Sequence, residues 1–374
     1  MSTLNNAHDS EHQKDHISLI RDKMYFVSDL HIGDASQSEP FQGNKEAFIA
    51  FLNMVRSENA QLVIVGDGLD FHQALHDTNS IITGNSKVIT KLIEMESFHY
   101  IRGNHDYDLN VLQGLIRFEL HQELVVDNKI IIQHGYEYDP YISKNFKESN
   151  LFTIMHHLAE RILSCKFRLP LENFYNFENR CAFWLFHKFV LGIDMLHRLC
   201  VHQNWKDPTK KWRDFCQHWA MNQIADPANL FENIRKERMT STYPFLITGH
   251  SHLPGQITFG NGNTYVNTGS WTYNNSQYAV WDGTKIEVKD FRTGKTYDDR
   301  MYQKLNKREF SHLDFLKWWQ ENYMGWLRFR NAEEKRFPYH LNEEYQTSKI
   351  NNNINNKINN KSNDQNDHPD GENL

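Results

Sequence analysis

Three apolar runs rich in β-branched and aromatic residues constrain this chain most: KMYFVSD (23 to 29), QLVIVGD (61 to 67) and SFHYIRGN (97 to 104). Between them, KEAFIAFLNMV (45 to 55) and SKVITKLIEM (86 to 95) carry apolar residues at helical spacing. Strands that are apolar throughout must be covered on both faces, and strands alternating with amphipathic helices give a parallel sheet with helices packed on it. The expectation is an α/β domain. ELVVDNKIIIQHG (123 to 135) adds two apolar runs around Asp127-Asn128, a hairpin signature.

The alternation then stops. Residues 141–242 keep helical spacing almost throughout, with Phe152, Met155, Leu158 and Ile162 recurring at three and four and Asp226-Pro227 placed as an N-cap and first helical residue. Strand signals return in YPFLITGH (243 to 250) and NTYVNTGSW (263 to 271), then in QYAVW-DG-TKIEV, where Asp282-Gly283 is read as a two-residue turn. This pattern divides the chain into a mobile arm (1–22), a core (23–140 and 243–293), a helical insertion (141–242), a helical extension (294–346) and an asparagine-rich tail (347–374). Within the extension Ser311 and Asp314 resemble a capping box, and Phe315, Trp319, Tyr323 and Trp326 form a stripe that would dock on the core. The tail is too polar to bury a core of its own.

The strand ends carry the chemistry. Asp29 and His31 close the first run; Gly66-Asp67 and Asp70 follow the second; Gly103-Asn104-His105-Asp106 follows the third; His134-Gly135 ends the hairpin; and Gly249-His250-Ser251-His252 follows the next strand. The C-terminal ends of strands are where open α/β sheets place ligands. Asp29 and His31, like His250 and His252, stand two apart, so on an extended backbone each pair points to one side. Five strand ends thus offer imidazole and oxygen donors without thiolates, a set suited to Mn²⁺, Fe, Zn²⁺ or Co, with manganese favoured. Asp67 is a candidate bridge between two ions, because a carboxylate can give one oxygen to each. His105 stands beside Asn104 but would point elsewhere, which suits a general acid, with Asp106 to orient it.

DLH, GDGLD, GNHD, HG and GHSH, in this order, resemble the calcineurin-like metallophosphoesterases. The resemblance implies a four-layer αββα sandwich and a binuclear site. One metal would take Asp29, His31, Asp67 and His252; the other would take Asp67, Asn104, His134 and His250; His105 would be the proton donor. VNTGSW after GHSH, and a helical insertion after HG, are similar to UDP-2,3-diacylglucosamine hydrolases, whose insertion caps the acyl chains of a lipid-linked pyrophosphate substrate. The chain departs from them where GNRD becomes GNHD and HGD becomes His134-Gly135-Tyr136. It departs from serine/threonine protein phosphatases at Phe71 and Asp106.

The remaining properties narrow the class. A formal net charge of -6 argues against a non-specific nucleic-acid binder. The polar N-terminus shows no secretory h-region, no apolar run is long enough to span a bilayer, and Cys165, Cys181, Cys200 and Cys216 form no C-x-x-C pair, so a cytoplasmic protein with reduced thiols is expected. His72, His156, His157 and His187 have no companion at ligand spacing and read as ordinary histidines. CAFWLFHKFVLGIDMLHRLC (181 to 200) is read first as a helix buried in a helical subdomain, and secondly as a cap whose apolar face takes an acyl chain or leans on a membrane, with Lys188 and Arg198 near lipid phosphates. The leading expectation is a metal-dependent hydrolase of a phosphate ester or pyrophosphate, on a phosphorylated small molecule or lipid-linked substrate. The alternatives are a phosphodiesterase or protein phosphatase of another substrate class, and an inert scaffold of the same fold.

Overall fold

A computed structural model describes residues 14–18, 21–106, 108–139, 142, 146–163, 177–213, 228–273 and 275–306. The apolar runs become strands β2 (Met24–Val27), β3 (Gln61–Val65) and β4 (Phe98–Ile101), paired in parallel with a further strand, β5 (Phe118–His121). Helices α1 (Lys45–Ser57), α2 (Thr78–Gly84) and α3 (Ser86–Glu94) fall between them. β11 (Gln277–Trp281), β12 (Ile286–Asp290) and β13 (Thr296–Tyr297) join β2 antiparallel, giving a seven-stranded sheet ordered β13-β12-β11-β2-β3-β4-β5. A second sheet of six strands runs β1-β6-β7-β8-β10-β9, from β1 (Asp15–Ile17), β6 (Leu124–Val126), β7 (Ile130–Ile132), β8 (Phe245–Thr248), β9 (Gly255–Thr258) and β10 (Thr264–Asn267).

The alternation of side chains along each strand builds two cores at once. Tyr25, Val27, Leu62, Ile64, Phe98 and Tyr100 face one way, into a cluster with Phe48, Phe51 and Leu52 of α1 and Val88 and Leu92 of α3. Met24, Phe26, Val63, Val65 and Ile101 face the other way and meet Leu124, Val126, Ile130, Ile132, Ile247 and Val266 of the second sheet. Beyond that sheet, Phe231 of the helix Ala228–Thr240 packs against Tyr265 of β10, at 6.3 Å between ring centroids, and against Tyr302 of the helix Arg300–Asn306, at 5.4 Å. The protein is a mixed α/β structure built on two sheets with helices.

Several expectations change in detail. The arm is not free along its whole length, since β1 pairs in parallel with β6 and forms the sheet edge; its three residues, DHI, are too few to show a period. β5 was hidden because FELH mixes charge into a short edge strand. The second hairpin turns one residue later than expected. Asp282 donates its N–H to Lys285 O, and Gly283 (φ 92°) takes the first turning position, where a type II′ turn needs a positive φ. The core continues into the extension through β13 before the helix begins. Asp226-Pro227, Ser311 and Asp314, the Phe315 stripe and the tail lie outside the described residues.

In the insertion, α4 (Phe146–Leu163) and α5 (Phe177–His202) are helices as the spacing requires. α5 is not buried all round: Val190, Ile193 and Cys200 are covered, whereas Leu185, Phe189, Met195 and Leu199 are exposed. Cys200 is a free, buried thiol. Among the described residues no helix is long and apolar enough to cross a membrane.

Phe26 is wholly buried between the two sheets. Phe26→Ala should remove about 3–5 kcal/mol of stability, read as a lower urea midpoint at an unchanged denaturant slope.

Candidate metal centre

Asp29, His31, Asp67, Asp70, His105, His134, His250 and His252 lie in overlapping groups at one place. The loops after β2, β3, β7 and β8 are stitched together by their backbones: Asp29 N–H donates to Gly66 O at 3.1 Å, His31 N–H to Asp67 O at 3.0 Å, and Gly249 N–H to His134 O at 2.9 Å. The convergence does not come from extended backbone. Asp29, His31, Asp67, His250 and His252 all have φ between 49° and 63°, the left-handed region. Such conformations cost about 1–3 kcal/mol each and persist where surrounding structure enforces them, typically at functional sites. Gly66, at φ 81°, cannot be replaced without strain, because a Cβ there would enter the His134 ring.

Two groups of donors result. Asp29, His31 and His252 form one; Asp67, His134 and His250 form the other. All six are buried, at 7 % exposure or less. His252 Nε2 lies 3.1 Å from Asp29 Oδ1, and His134 Nε2 lies 3.2 Å from Asp67 Oδ2. Asp67 Oδ2 stands between the groups, 3.9 Å from His31 Nε2 and 4.0 Å from His105 Nε2. Its partner Oδ1 is committed, accepting the His105 N–H at 2.8 Å. Asn104 Oδ1 and Asp29 Oδ1 are buried and accept no hydrogen bond among the described residues.

These contacts set the charge the site requires. Burial pushes His31 down to about 4, although Asp70 pulls the other way, so the imidazole is neutral at pH 7. Its Nδ1 lies 2.9 Å from Asp70 Oδ2 and donates to that carboxylate. The Nε2 lone pair therefore faces His252 Nε2 at 3.4 Å and the two aspartates. Either a proton on His252 Nε2 or a cation between the two rings satisfies that lone pair. For His134, burial acts downward, but the charge and hydrogen bond of Asp67, then the charge of Asp29, outweigh it and raise it to about 10. Its Nδ1–H is taken by Val65 O at 2.8 Å, which aims Nε2 at Asp67. A positive charge belongs there, and either a proton or a metal ion provides it. The donor set fits divalent metals, with oxygen and imidazole ligands and with histidines fixed by their outer nitrogens.

Asp106 corrects the expectation placed on it. Its carboxylate does not touch His105. It accepts the N–H groups of Asp67, Leu69 (3.0 Å) and Gly103 (3.0 Å) and the Tyr100 hydroxyl (2.8 Å), tying the loops after β3 and β4 together. Burial, then the neighbouring Asp67 charge, push it up to about 7. Adjacent residues project in different directions, so sequence neighbourhood was a poor guide. Asp70 holds His105 instead, with Oδ1 2.9 Å from His105 Nδ1. His72 and His157 were read as ordinary histidines, yet His72 Nδ1 is 3.3 Å from His105 Nδ1 and His157 Nε2 is 3.8 Å from Asp70 Oδ2. α4 reaches the centre through His157 and through Arg161, which pairs with Asp34. Asp139 was also missed; its Oδ2 lies 3.2 Å from His250 Nε2. The VNTGSW segment is a brace: Asn267 Nδ2 donates to Gly249 O, and Trp271 N–H donates to Asp29 O at 3.0 Å.

A profile of the calcineurin-like phosphoesterase family matches residues 23–254, more than half of the chain. The chain belongs to the calcineurin-like phosphoesterases. It is 23% identical over 281 residues to the UDP-2,3-diacylglucosamine hydrolase of Porphyromonas gingivalis, a match covering 71% of this chain and 97% of that protein. Among solved structures it is similar to a dimetal phosphatase from Danio rerio (14% identity, TM-score 0.33, covering 72% of this chain and 95% of that one). It is also similar to Vacuolar Protein Sorting 29 from Cryptosporidium parvum (13% identity, TM-score 0.31, covering 73% and 93%). The protein is a metal-dependent phosphoester hydrolase of this family, with His and Asp clusters able to hold the divalent metals the family uses.

Two outcomes follow. Metal uptake should release protons, because the positive charge at His134, held on up to about 10, is exchanged for a cation; binding enthalpies measured in two buffers of different ionisation heat report the count, and affinity should rise with pH. Asp106→Asn turns an amide toward three backbone N–H groups, so the variant should lose about 2–4 kcal/mol, read as a lower melting temperature, with metal uptake weakened as the Asp67 and Asn104 loops separate.

Proposed function

We propose that the protein hydrolyses a pyrophosphate or phosphate ester bond in a nucleotide-linked or lipid-linked small molecule, with His105 as the general acid. The observation that carries this reading is the Asp70–His105 pair set against Asp67 Oδ2. Asp29, His31, Asp67 and His252 would hold one metal, and Asp67, Asn104, His134 and His250 the other. Asp67 would be shared between the two, its Oδ1 being already engaged by His105 N–H. When bound, the two cations supply charge neutralisation for the phosphate and a water acidic enough to ionise near neutral pH. Manganese is the favoured metal, with Fe, Zn or Co as alternatives the donor set accepts.

The chain's own residues then do the rest. Asp70 holds the Nδ1 proton of His105 and stabilises the imidazolium, leaving Nε2–H to protonate the departing oxygen. Burial acts upward on Asp70, but the charges of His105 and His157, then the hydrogen bonds of His105 and His31, outweigh it and keep the carboxylate ionised well below the usual range. His72 lies behind His105, where burial lowers it to about 3 and keeps it neutral beside a histidine that must charge. The division into core, insertion and extension is part of this proposal: α4 and α5 would form a cap beside the centre. The relation to the Porphyromonas gingivalis hydrolase supports a UDP-linked substrate, and the exposed Leu185, Phe189, Met195 and Leu199 of α5 support a lipid-bearing one met at a membrane surface from the cytoplasm. His105 and Tyr136, which depart from that family's pattern, would adjust which headgroup is taken.

The decisive experiment offers metal-reconstituted protein a phosphomonoester, a phosphodiester and a UDP-linked pyrophosphate, the last with and without acyl chains. Preference for the acylated pyrophosphate is expected; activity on simple esters alone would discard the lipid-linked substrate, and none at all would favour an inert scaffold. His105→Ala should slow turnover of poor leaving groups by about 10²–10⁴-fold, and much less for a good one such as p-nitrophenolate. Full turnover on a poor leaving group would remove the general-acid assignment.

A further inference from the structure

A second cluster of metal donors lies away from this centre, on β4 and β5. These parallel strands pair His99 with Glu119 and Ile101 with His121, so His99, Glu119 and His121 share one face. The opposite face carries Phe98, Tyr100 and Phe118, whose rings pack together. Both imidazoles are buried, at 4% and 7% exposure, while the Glu119 side chain is 57% exposed. His99 Nδ1 lies 3.1 Å from His121 Nε2 and 3.5 Å from Glu119 Oε2. The other nitrogen of His121, Nδ1, lies 2.7 Å from Asp15 Oδ2, which comes from β1 on the edge of the facing sheet.

That last contact fixes the chemistry. A carboxylate at 2.7 Å only accepts, so His121 carries a proton on Nδ1, and its Nε2 presents a lone pair to His99 in the neutral ring. Burial lowers the pKa of His99, which keeps its imidazole neutral and able to ligate. Ligand atoms about 2.0–2.2 Å from a tetrahedral zinc ion stand roughly 3.3–3.5 Å from one another; the observed separations of 3.1 and 3.5 Å lie close to that range. A histidine ligand whose outer nitrogen is held by a carboxylate is the usual surrounding of a bound transition metal. A plain N–H···N hydrogen bond between the two rings would explain the 3.1 Å contact but gives no reason for Glu119 to join it.

We propose that His99 Nδ1, His121 Nε2 and a Glu119 carboxylate oxygen bind a further transition-metal ion, zinc by its donor set, with the fourth position open to water and Asp15 orienting His121. This ion does not belong to the centre at the strand ends. It clamps the edge of the seven-stranded sheet, and through Asp15 it fastens β1 of the other sheet to it. Loss of the ion should therefore loosen the segment containing Asp15.

The test uses the full chain, stripped with chelator, saturated with zinc, desalted and counted by elemental analysis. His121→Ala should bind one zinc fewer per chain than the parent while retaining phosphoesterase activity. With Co²⁺ as a spectroscopic probe in an Asp67→Ala, His134→Ala, His252→Ala background, which removes donors from both groups of the main centre, the tetrahedral visible absorption should persist and then vanish when His121→Ala is added. Asp15→Asn should weaken zinc binding by about 10–100-fold, and Glu119→Gln should weaken it as well; both substitutions are on exposed side chains and keep the measurement open if His121→Ala does not fold. An equal zinc count in the parent and a folded His121→Ala, or unchanged affinity in both Asp15→Asn and Glu119→Gln, overturns the site and leaves a simple histidine pair.

Discussion

The arrangement on which the rest of the structure depends is the crowding of electron-rich atoms around Asp67 Oδ2. His31 Nε2, His134 Nε2 and His105 Nε2 all aim toward it, and Asp29 Oδ1 lies 4.0 Å from His134 Nε2 on the same side. In water such a cluster would separate. Here it is buried, and burial makes each unscreened repulsion larger. A positive charge at the focus, whether the His134 proton or a metal ion, turns repulsion into attraction, so the geometry is explicable as a receptor built for positive charge. The protein holds that geometry ready by means that owe nothing to the cation: the outer nitrogens of His31 and His134 are already occupied by Asp70 and Val65 O. Ligands held in this way lose little freedom when a metal arrives.

Preorganisation of this kind needs a rigid platform, and the two-sheet core provides it. The inter-sheet cluster brings the ends of β2 and β3 against the ends of β7 and β8, so that donors far apart in sequence meet. The left-handed residues then steer each donor inward at a cost of about 1 kcal/mol or more per residue. What offsets that cost is a ring of hydrogen bonds: Asp106 gathers three N–H groups and the Tyr100 hydroxyl, and Asn267 braces the Gly249 carbonyl from the opposite side. The motif residues that never touch the donors directly are therefore as constrained as the donors themselves. Gly103 illustrates the point, since a Cβ there would collide with the Asp67 carboxylate and backbone.

How much of this the sequence disclosed follows from the range of each interaction. The strands β2, β3 and β4, the helix α1 and the turn at Asp127-Asn128 were legible because both period and turn chemistry are local; both turn residues do take φ near 50°. The donors were legible for the same reason, each being the polar end of an apolar run. Asp70 and Asp106 were not separable from sequence, because which carboxylate reaches His105 depends on the path of two loops. His157 lies on a helix more than fifty residues beyond His105, and its approach to Asp70 depends on how α4 docks, which no spacing encodes. β1 was missed because three residues pairing with a strand more than one hundred positions away carry no local signal.

α4 docks beside one of the departures from the hydrolase pattern, His105. Where GNRD would place an arginine beside the asparagine, this chain has a histidine whose ring is hemmed in by Asp70, His31 and His72, with His157 6.4 Å away between centroids. An arginine contributes a fixed positive charge and a planar fork suited to phosphate oxygens; a histidine contributes a proton that can move. Asp70 anchors one nitrogen, and His157, itself held by Glu160 at 3.0 Å, brings the insertion onto the same carboxylate. The Asp70 carboxylate that holds His105 is shared with His31 and with His157 of α4. On the proposed reading α4 and His105 are linked through Asp70: a shift of His157 would change the field at the nitrogen proposed to donate the proton.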